Sequence, residues 1–244
     1  MKKGAAPGVS QEVQEDLEAY NQQANKAAGE WLGYQSARWA TRNPVDLEAT
    51  DNSFRTRYGL TKTWAVRDAL RGVPRDIACL EVGCSAGGFM AVLRSLGFQD
   101  LTGTDIGLEP LLSHVKPRAP LVHADAQHLP FKDGAFDMVA TAGTLMHLGP
   151  AKRMTESLQG LARVTRRWLF VAELYAPGSK PMLVSFGELL PPVWLYAWDT
   201  AILDCLGREN WAVAYHQVYE LGANNPGLSA PLCFTLLERP PKKR

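Results

Sequence analysis

The stretch IACLEVGCSAGGF, residues Ile77 to Phe89, determines the fold expected for this chain of 244 residues. Its first half is apolar and ends at Glu81, its middle is a glycine-containing turn, and a helix-forming segment follows directly. A buried strand, a glycine turn and a helix start in this order are typical of parallel α/β sheets that bind a nucleotide-like ligand. The turn reads E-x-G-x-S-x-G. It differs from G-x-G-x-x-G, the pattern of a dinucleotide pyrophosphate site.

Acidic residues close two further predicted strands, at places that match Glu81. Asp105 ends LTGTD, 24 positions after Glu81 (105 − 81), and Asp125 ends LVHAD. Because the carboxyl ends of parallel strands meet at one edge of a sheet, we expect the three acids to lie there together. A carboxylate at Asp105 can accept hydrogen bonds from both hydroxyls of a ribose, or it can cap the helix that follows. Anionic strand ends beside bare glycine backbone favour a ligand with a ribose and an ammonium group.

Strand-like and helix-like segments alternate through the middle of the chain. Two later β-rich runs, 211–221 and 230–239, have no helix between them and predict an antiparallel hairpin at the sheet edge. The pattern predicts an α/β fold with a doubly wound, Rossmann-like sheet of seven strands. The first five strands are expected near 77–82, 101–105, 120–124, 136–141 and 167–174, and the helices near 87–97, 107–115 and 149–164.

The chain divides into four predicted parts. They are residues 1–56, a tail, a helix and a segment rich in aromatic residues and arginine; residues 57–175, the ligand-binding core; residues 176–210, a cap inserted before the last two strands; and residues 211–244, the hairpin and a tail. The cap should have an apolar inner face, which suits a bound molecule with an apolar portion or a contact between two copies of the chain. That face would comprise Met182, Leu183, Phe186, Trp194, Tyr196 and Trp198, of which Phe186, Trp194 and Trp198 are the candidate substrate contacts.

Composition argues against several kinds of partner. The formal charge is +1 and the basic residues are scattered, so we expect no nucleic-acid partner. The four cysteines form no C-x-x-C pair and show no metal-ligand spacing with the five histidines, which predicts reduced thiols, no bound metal and a cytoplasmic location. The opening MKKGAAPGVSQEV has no apolar segment, and the apolar stretch 181–198 is interrupted by Glu188 and two prolines. We therefore expect neither a signal peptide nor a membrane span.

In the order of these features, the chain resembles the class I S-adenosylmethionine-dependent methyltransferases. The phrase LPFKDGAFDMV, residues 129–139, also recurs in that class. The resemblance implies S-adenosyl-L-methionine as cofactor, S-adenosyl-L-homocysteine as product and a small-molecule acceptor. Ser85 replaces a glycine common in the class, and its hydroxyl should cap the following helix. The cofactor contacts implied by the resemblance are Glu81, Gly83, Cys84, Ser85, Gly87, Asp105, Ile106, Asp125, Ala126, Gln127, Thr141 and Ala142.

A narrower resemblance involves the N-terminal segment. The pattern W-x-G-x-x-x-x-x-W-x-x-R-N, Trp31 to Asn43, is similar to the opening of methylases associated with pseudaminic acid biosynthesis, as are the later phrases TAGTLMHLGP and RWLFVAELYAP. This resemblance implies that Tyr34, Trp39 and Arg42 fold over the cofactor, where an arginine can pair a carboxylate and aromatic rings can receive the methylsulfonium. It implies a sugar or natural-product acceptor that contacts Trp31, although Trp31 can equally pack its helix onto the sheet.

Three residues near the ends of the fourth and fifth strands are candidates for catalysis. His147 follows the fourth strand, and its neutral imidazole can take a proton from an acceptor hydroxyl or amine; alternatively, it only orients the loop. Glu173 and Tyr175 lie at the end of the fifth strand, near the same mouth. Methyl transfer is an in-line displacement from an already activated sulfonium, so proximity and alignment can supply most of the rate without a dedicated base.

Other functions are compatible with the same fold. A nucleic-acid or protein methyltransferase is one alternative, but DNA amino-methylating enzymes usually need an Asn/Asp-Pro-Pro-aromatic turn after the fourth strand, where this chain reads TAGT. A non-catalytic S-adenosylmethionine-binding module is the other. It is disfavoured because degenerate members of the class typically lose the glycine turn or the acids, which this chain keeps. The sequence leaves both a monomer and a homodimer open.

Overall fold

The structure is a computed structural model, and it describes residues 63–85, 87–107, 111, 119–149, 152–178, 180–184, 193–219 and 230–240. The predicted helix at 107–115 falls largely outside these ranges and stays a prediction. The same holds for five residues predicted to contact the cofactor or the substrate: Trp31, Tyr34, Trp39, Arg42 and Phe186.

Strands and helices alternate along the described chain as predicted. The elements are α1 (Thr63–Ala69), β1 (Cys79–Val82), α2 (Gly88–Ser95), β2 (Leu101–Asp105), β3 (Leu121–His123), β4 (Phe136–Ala142), the 3-10 helix Leu145–His147, α3 (Lys152–Val164), β5 (Thr165–Leu174), β6 (Met182–Val184), β7 (Val193–Leu195), α4 (Trp198–Leu206), β8 (Ala212–Tyr219) and β9 (Leu232–Glu238). The first five predicted strands are all present, with ends that differ by two residues at most.

Seven strands form one sheet in the order β3-β2-β1-β4-β5-β9-β8. Strands β1 to β5 are parallel, and β9 runs antiparallel to both β5 and β8. This arrangement confirms the predicted doubly wound sheet with an antiparallel hairpin at one edge. The strand order reverses between β1 and β4. Ligands of open α/β sheets bind at the carboxyl ends of the strands beside such a switch point.

Both faces of the sheet are buried. One face packs under α1 and α2, and the rings of Phe89 on α2 and Phe170 on β5 stack at 5.8 Å. The other face packs against α3 and α4. Neighbouring residues of β4 therefore serve opposite cores, with Val139 on the α3 side and Ala140 on the α2 side. Burial on both faces explains why the strands of this sheet are continuous apolar runs rather than alternating patterns.

Part of the segment predicted as a cap belongs to the core. Strands β6 and β7 form a separate two-stranded sheet, so the segment adds no strand to the main sheet, as predicted. The exposed fractions of Trp194, Tyr196 and Trp198 are only 2, 5 and 0%. The prediction that these three rings form the inner wall of a lid is wrong. Their apolar surface instead fills the core between the sheet, α3 and α4, which stabilises the fold more than an exposed wall would.

Two further properties concern the described ranges alone. Within them, no helix is long and apolar enough to cross a membrane. Among the same residues, no three His, Cys, Asp or Glu side chains come together in a group that could hold a metal ion. The four cysteines all lie in these ranges and are free thiols.

Candidate cofactor and active site

A tight turn joins β1 to α2 at the carboxyl edge of the sheet. The N–H groups of Gly83 and Cys84 both donate to Thr104 O, at 2.7 and 2.8 Å, which ties the turn to the neighbouring strand β2. Gly83 has a φ of 75° and Gly87 a φ of 86°, left-handed values that glycine adopts without strain. Gly87 occupies the N-cap position of α2, and the predicted capping by the Ser85 hydroxyl stays a prediction.

Asp105 is held at the carboxyl end of β2 by two backbone donors. Its Oδ2 accepts from Ser85 N and its Oδ1 accepts from Gly107 N, each at 2.8 Å. The carboxylate therefore bridges the glycine turn and the loop after β2, and these bonds fix its orientation. Its two oxygens together can accept about four hydrogen bonds. Its position fits the predicted contact with ribose hydroxyls.

Apolar surface next to Asp105 is available to a flat ring. Ile106 is 40% exposed, so part of its apolar side chain faces solvent at this edge of the sheet. Its carbonyl oxygen lies 2.9 Å from His123 Nε2, a contact that joins the loop after β2 to β3. An exposed isoleucine beside a carboxylate suits one face of an adenine ring, which is the role predicted for Ile106.

The third acid shapes the loop after β3. Asp125 Oδ1 accepts from Gln127 N at 3.0 Å, as in an Asx turn. The Gln127 side chain points toward α3, where it donates to Glu156 Oε2 at 2.6 Å and accepts from Arg153 Nε at 3.1 Å. Ala126 is buried in the core under the same helix. The Gln127 amide is thus bound to α3 rather than directed at the edge of the sheet, and the predicted contact of Gln127 with the adenine stays a prediction.

The remaining predicted cofactor contacts are buried. Glu81 in β1 is 1% exposed, and Thr141 and Ala142 at the end of β4 are buried as well. The Cys84 side chain is buried too, and points into the core rather than along the edge. Side chains at this depth offer little surface to a ligand, so their predicted contacts depend on backbone atoms.

Two residues that shape the turn were not predicted from the sequence. Gly103 in β2 leaves room for Cys84, since a Cβ at Gly103 would lie 2.8 Å from both Cys84 Sγ and Met90 Sδ. Thr144, after β4, fills the space beside Gly83, where any Cβ would collide with the threonine side chain. A glycine two positions before the strand-end acid, as in LTGTD, was a usable signal for Gly103. No pattern in TAGT marks Thr144.

Ser85 has a strained backbone. Its φ of 48° makes it the one non-glycine residue with a positive φ among those described. Ser85→Gly relieves this strain, so we expect the free energy of unfolding to rise by about 0.5–1 kcal/mol in chemical denaturation. Ser95→Gly, at the end of α2, is the control and should lower stability, because glycine disfavours a helix. A loss of stability in both variants would contradict the claim that the backbone of Ser85 is strained.

His147, the predicted general base, is buried at the end of the 3-10 helix. It is 8% exposed. Burial lowers the pKa of its imidazole from 6.5 to about 3, because the charged form would lose its water. A group with so low a pKa is a weak proton acceptor at neutral pH. The structure therefore favours the other role considered for His147, which is to orient the loop after β4.

His147→Ala tests this role. Since a buried ring is removed, we expect the free energy of unfolding to fall by about 1–3 kcal/mol. We expect methyl transfer per folded molecule to stay within about tenfold of wild type. Because the folded pKa is lowered, His147 contributes full stability above pH 6.5, and this contribution is lost as the pH falls toward 3. Melting curves across that range should show a smaller acid loss in the variant. A stable variant with turnover reduced by more than about 100-fold would instead support His147 as the general base.

The other two predicted catalytic residues lie at the end of β5. Glu173 is fully buried, and its carboxylate bonds to backbone N–H groups of the loop after β4. Its predicted direct part in catalysis is therefore wrong, because it presents no surface to an acceptor. The backbone of Tyr175 forms an isolated parallel β-bridge with that of Tyr196. The centroid of the Tyr175 ring lies 5.7 Å from that of the His216 ring. Burial raises the pKa of Tyr175, so it stays a neutral phenol.

The predicted substrate contacts within the described ranges do not line an open pocket. Trp198 donates its indole N–H to Leu174 O at 2.8 Å inside the core, and Trp194 is buried in the same hydrophobic cluster. The prediction that Trp194 and Trp198 contact the substrate is therefore wrong, because both rings lie in the core. Met182 on β6 is 50% exposed, so it keeps apolar surface available on the predicted cap.

Known proteins match the part of the chain that carries this site. Residues 80–168 match the sequence model of the family described as Methyltransferase domain, and this range includes the glycine turn and all three strand-end acids. The chain is 28% identical over 92 residues to the sterol 4-C-methyltransferase strm-1 of Caenorhabditis elegans. That match covers 34% of this chain and 27% of the relative, so the chain spans little more than a quarter of the relative's length.

Solved structures share the fold over longer stretches. One is the 1,6-didemethyltoxoflavin-N1-methyltransferase of Burkholderia thailandensis with bound 1,6-didemethyltoxoflavin and S-adenosylhomocysteine. Its TM-score is 0.57 at 12% identity, over 98% of this chain and 94% of that one. The [4+2]-cyclase SpnF has a TM-score of 0.57 at 14% identity, over 74% of this chain and 80% of that one. Residues 80–168 thus match a methyltransferase domain model, and the sheet around them has the Rossmann-like strand order shared by these solved structures.

Proposed function

We propose that the chain transfers a methyl group from S-adenosylmethionine to a small-molecule acceptor. The observation that carries the proposal is the Asp105 carboxylate, held by Ser85 N and Gly107 N beside a glycine turn and the exposed Ile106. These residues fit the parts of the cofactor: acceptors for the ribose hydroxyls, apolar surface for the adenine and close backbone approach for the methionine part. When bound, the cofactor supplies a methyl group that its sulfonium already activates.

The residues of the chain bind and orient the reactants. Asp105 receives the ribose, Asp125 lies on the loop where the adenine amino group is expected, and the turn from Gly83 to Gly87 receives the methionine part. The loop after β4 begins at the switch point beside this turn, and we expect the acceptor to bind there, next to the cofactor. Because the methyl group is already activated, alignment of the two reactants supplies most of the rate.

The names of two matched proteins support a small-molecule acceptor. The Burkholderia thailandensis enzyme, which resembles this chain over nearly its whole length, is named for methylation of 1,6-didemethyltoxoflavin. The Caenorhabditis elegans relative is named for methylation of a sterol. On this chain, the exposed Met182 gives the predicted cap some apolar surface that such an acceptor can contact. The sugar acceptor implied by the narrower resemblance depends on residues 31–43, which lie outside the described ranges.

One observation favours a second candidate function. SpnF shares the fold and is named a [4+2]-cyclase, so the fold alone does not fix methyl transfer. The second candidate for this chain is therefore a module that binds S-adenosylmethionine without transferring its methyl group. Methylation of a nucleic acid or a protein is the further alternative.

Labelled methyl transfer separates these functions. The purified chain is incubated with S-adenosylmethionine carrying a trideuterated methyl group and with a cell extract divided into low-mass and macromolecular fractions. Mass spectrometry should find the label in the low-mass fraction, and Asp105→Ala should abolish most of it. The control Asp133→Ala, which removes a surface carboxylate paired with Arg163, should transfer normally. Label found only in protein or nucleic acid would contradict the small-molecule acceptor, and binding without transfer would favour the second candidate.

A further inference from the structure

A buried carboxylate joins β5 to the loop after β4. Glu173 is fully buried, and its Oε1 accepts from Thr144 N and Leu145 N, both at 2.9 Å. Met146 N donates to its Oε2 at 3.4 Å, and the Thr141 hydroxyl donates to Oε1 at 3.4 Å. Thr144, the N-cap residue of the 3-10 helix, makes no side-chain capping bond to the helix's own N–H groups. Glu173 therefore satisfies, from a neighbouring strand, the backbone donors that the start of a helix leaves unpaired.

The same loop packs against the glycine turn. The Thr144 hydroxyl donates to Val82 O at 3.4 Å, and the Thr144 side chain occupies the space that a Cβ on Gly83 would need. On its other side, Gly83 N donates to Thr104 O. The turn is thus held between β2 and Thr144. A shift of Thr144 would move the backbone that approaches the methionine part of the cofactor.

An acid in this position is costly. Burial raises the pKa of Glu173 from 4.5 to about 7, although its four hydrogen bonds act in the opposite direction. A leucine would fill a similar volume without this desolvation. The geometry gives a reason for the acid, since three successive N–H groups converge on one side chain. Among side chains, an ionised carboxylate is the strongest acceptor for several donors at once.

We propose that Glu173 is a positioning residue of the cofactor site: by fixing the backbone at Thr144, it holds Gly83 and the glycine turn in the arrangement that binds S-adenosylmethionine. The proposal rests on the cofactor part of the proposed function and is independent of the acceptor. Glu173 contacts neither reactant, and it acts through the loop after β4.

The protonation state of Glu173 then affects cofactor affinity near neutral pH. In the neutral acid an O–H replaces one acceptor, so the bonds to the loop weaken as the pH falls. The nearest ionisable groups on the 3-10 helix and on β9, His147 and Cys233, stay neutral in this range. Burial lowers the pKa of His147 to about 3 and raises that of Cys233 to about 12. Beyond Cys233 lie Asp199 on α4 and Tyr175 at the end of β5.

The test measures the affinity for S-adenosylhomocysteine by calorimetry across pH 6 to 8. Wild type should bind about three- to tenfold more tightly at the upper end, the scale of a pKa change of up to one unit on binding. Glu173→Gln keeps Oε1 and removes the charge, so its affinity should vary by less than about twofold. Glu173→Leu removes every acceptor and should weaken binding by about tenfold or more at the upper end. The control Glu238→Gln, which removes a surface carboxylate paired with Arg167, should behave like wild type.

A purely structural role would lower the melting temperature without changing the pH profile of the folded protein. If Glu173→Leu does not fold, Thr144→Ala tests the same link with Glu173 in place, and should weaken affinity by about threefold or more. The proposal is overturned by a wild-type pH dependence in Glu173→Gln, or by wild-type affinity in a folded Glu173→Leu or Thr144→Ala protein. A wild-type chain that binds no S-adenosylhomocysteine would overturn the cofactor site itself. Methyl transfer to a macromolecule would overturn only the proposed acceptor.

Discussion

Asp105→Ala is expected to weaken binding of S-adenosylhomocysteine by about 10- to 150-fold, or roughly 1.5–3 kcal/mol. The variant loses the carboxylate that should accept the ribose hydroxyls. It also loses the bonds from Ser85 N and Gly107 N that tie the glycine turn to the loop after β2. Isothermal titration calorimetry gives the dissociation constant, and a melting curve shows whether the variant is folded.

Two comparisons make this result specific. Asp133→Ala removes an exposed carboxylate far along the chain from the turn and should bind like wild type. Asp105→Asn keeps one acceptor oxygen and should fall between wild type and the alanine variant. If folded Asp105→Ala bound with unchanged affinity, the carboxylate would serve only to shape the two loops.

Trp198→Ala should lower the free energy of unfolding by about 3–5 kcal/mol, the cost of truncating a fully buried aromatic side chain. Trp198 is 0% exposed, packs between the sheet and α3, and donates its indole N–H to Leu174 O. The substitution leaves a cavity and an unpaired carbonyl oxygen. Since domains of this kind are stable by about 5–15 kcal/mol, much of the protein's stability would be lost. Chemical denaturation measures the change.

A second tryptophan provides the control for this result. Trp64 on α1 is 55% exposed, so Trp64→Ala should cost less than about 1 kcal/mol. A Trp198→Ala protein of nearly normal stability, with a changed preference among acceptors, would contradict the core assignment and return this side chain to the predicted lid.

The sheet and the cofactor edge were largely predictable because their signals are local. A parallel strand buried on both faces is a short apolar run, and a functional strand end is marked by an acid followed by glycine. Glu81 and Asp105 carry both signals and Asp125 carries the acid alone, and the observed strand order brings all three to one edge. The left-handed φ values of Gly83 and Gly87 are likewise what a turn between strand and helix requires of glycine.

The roles of other residues depended on packing that no local pattern records. The sequence of an aromatic-rich segment is the same whether its rings line a pocket or fill a core. In this structure, Trp194 and Trp198 fill the core. An acid at a strand end reads alike whether it faces a ligand or a neighbouring loop. The Asp105 carboxylate accepts a hydrogen bond from Ser85 N in the glycine turn, where a ligand is expected. The Glu173 carboxylate is instead enclosed under the 3-10 helix and accepts from Leu145 N. Such differences arise from contacts between distant parts of the chain.

Titration of wild-type chain with S-adenosylhomocysteine tests the central claim most directly, because it requires no knowledge of the acceptor. We expect saturable binding at one site, with a dissociation constant in the micromolar range, and competition by S-adenosylmethionine for the same site. The absence of any binding heat or competition up to millimolar concentrations of either molecule, in a sample shown to be folded, would contradict the cofactor site at the carboxyl edge of the sheet.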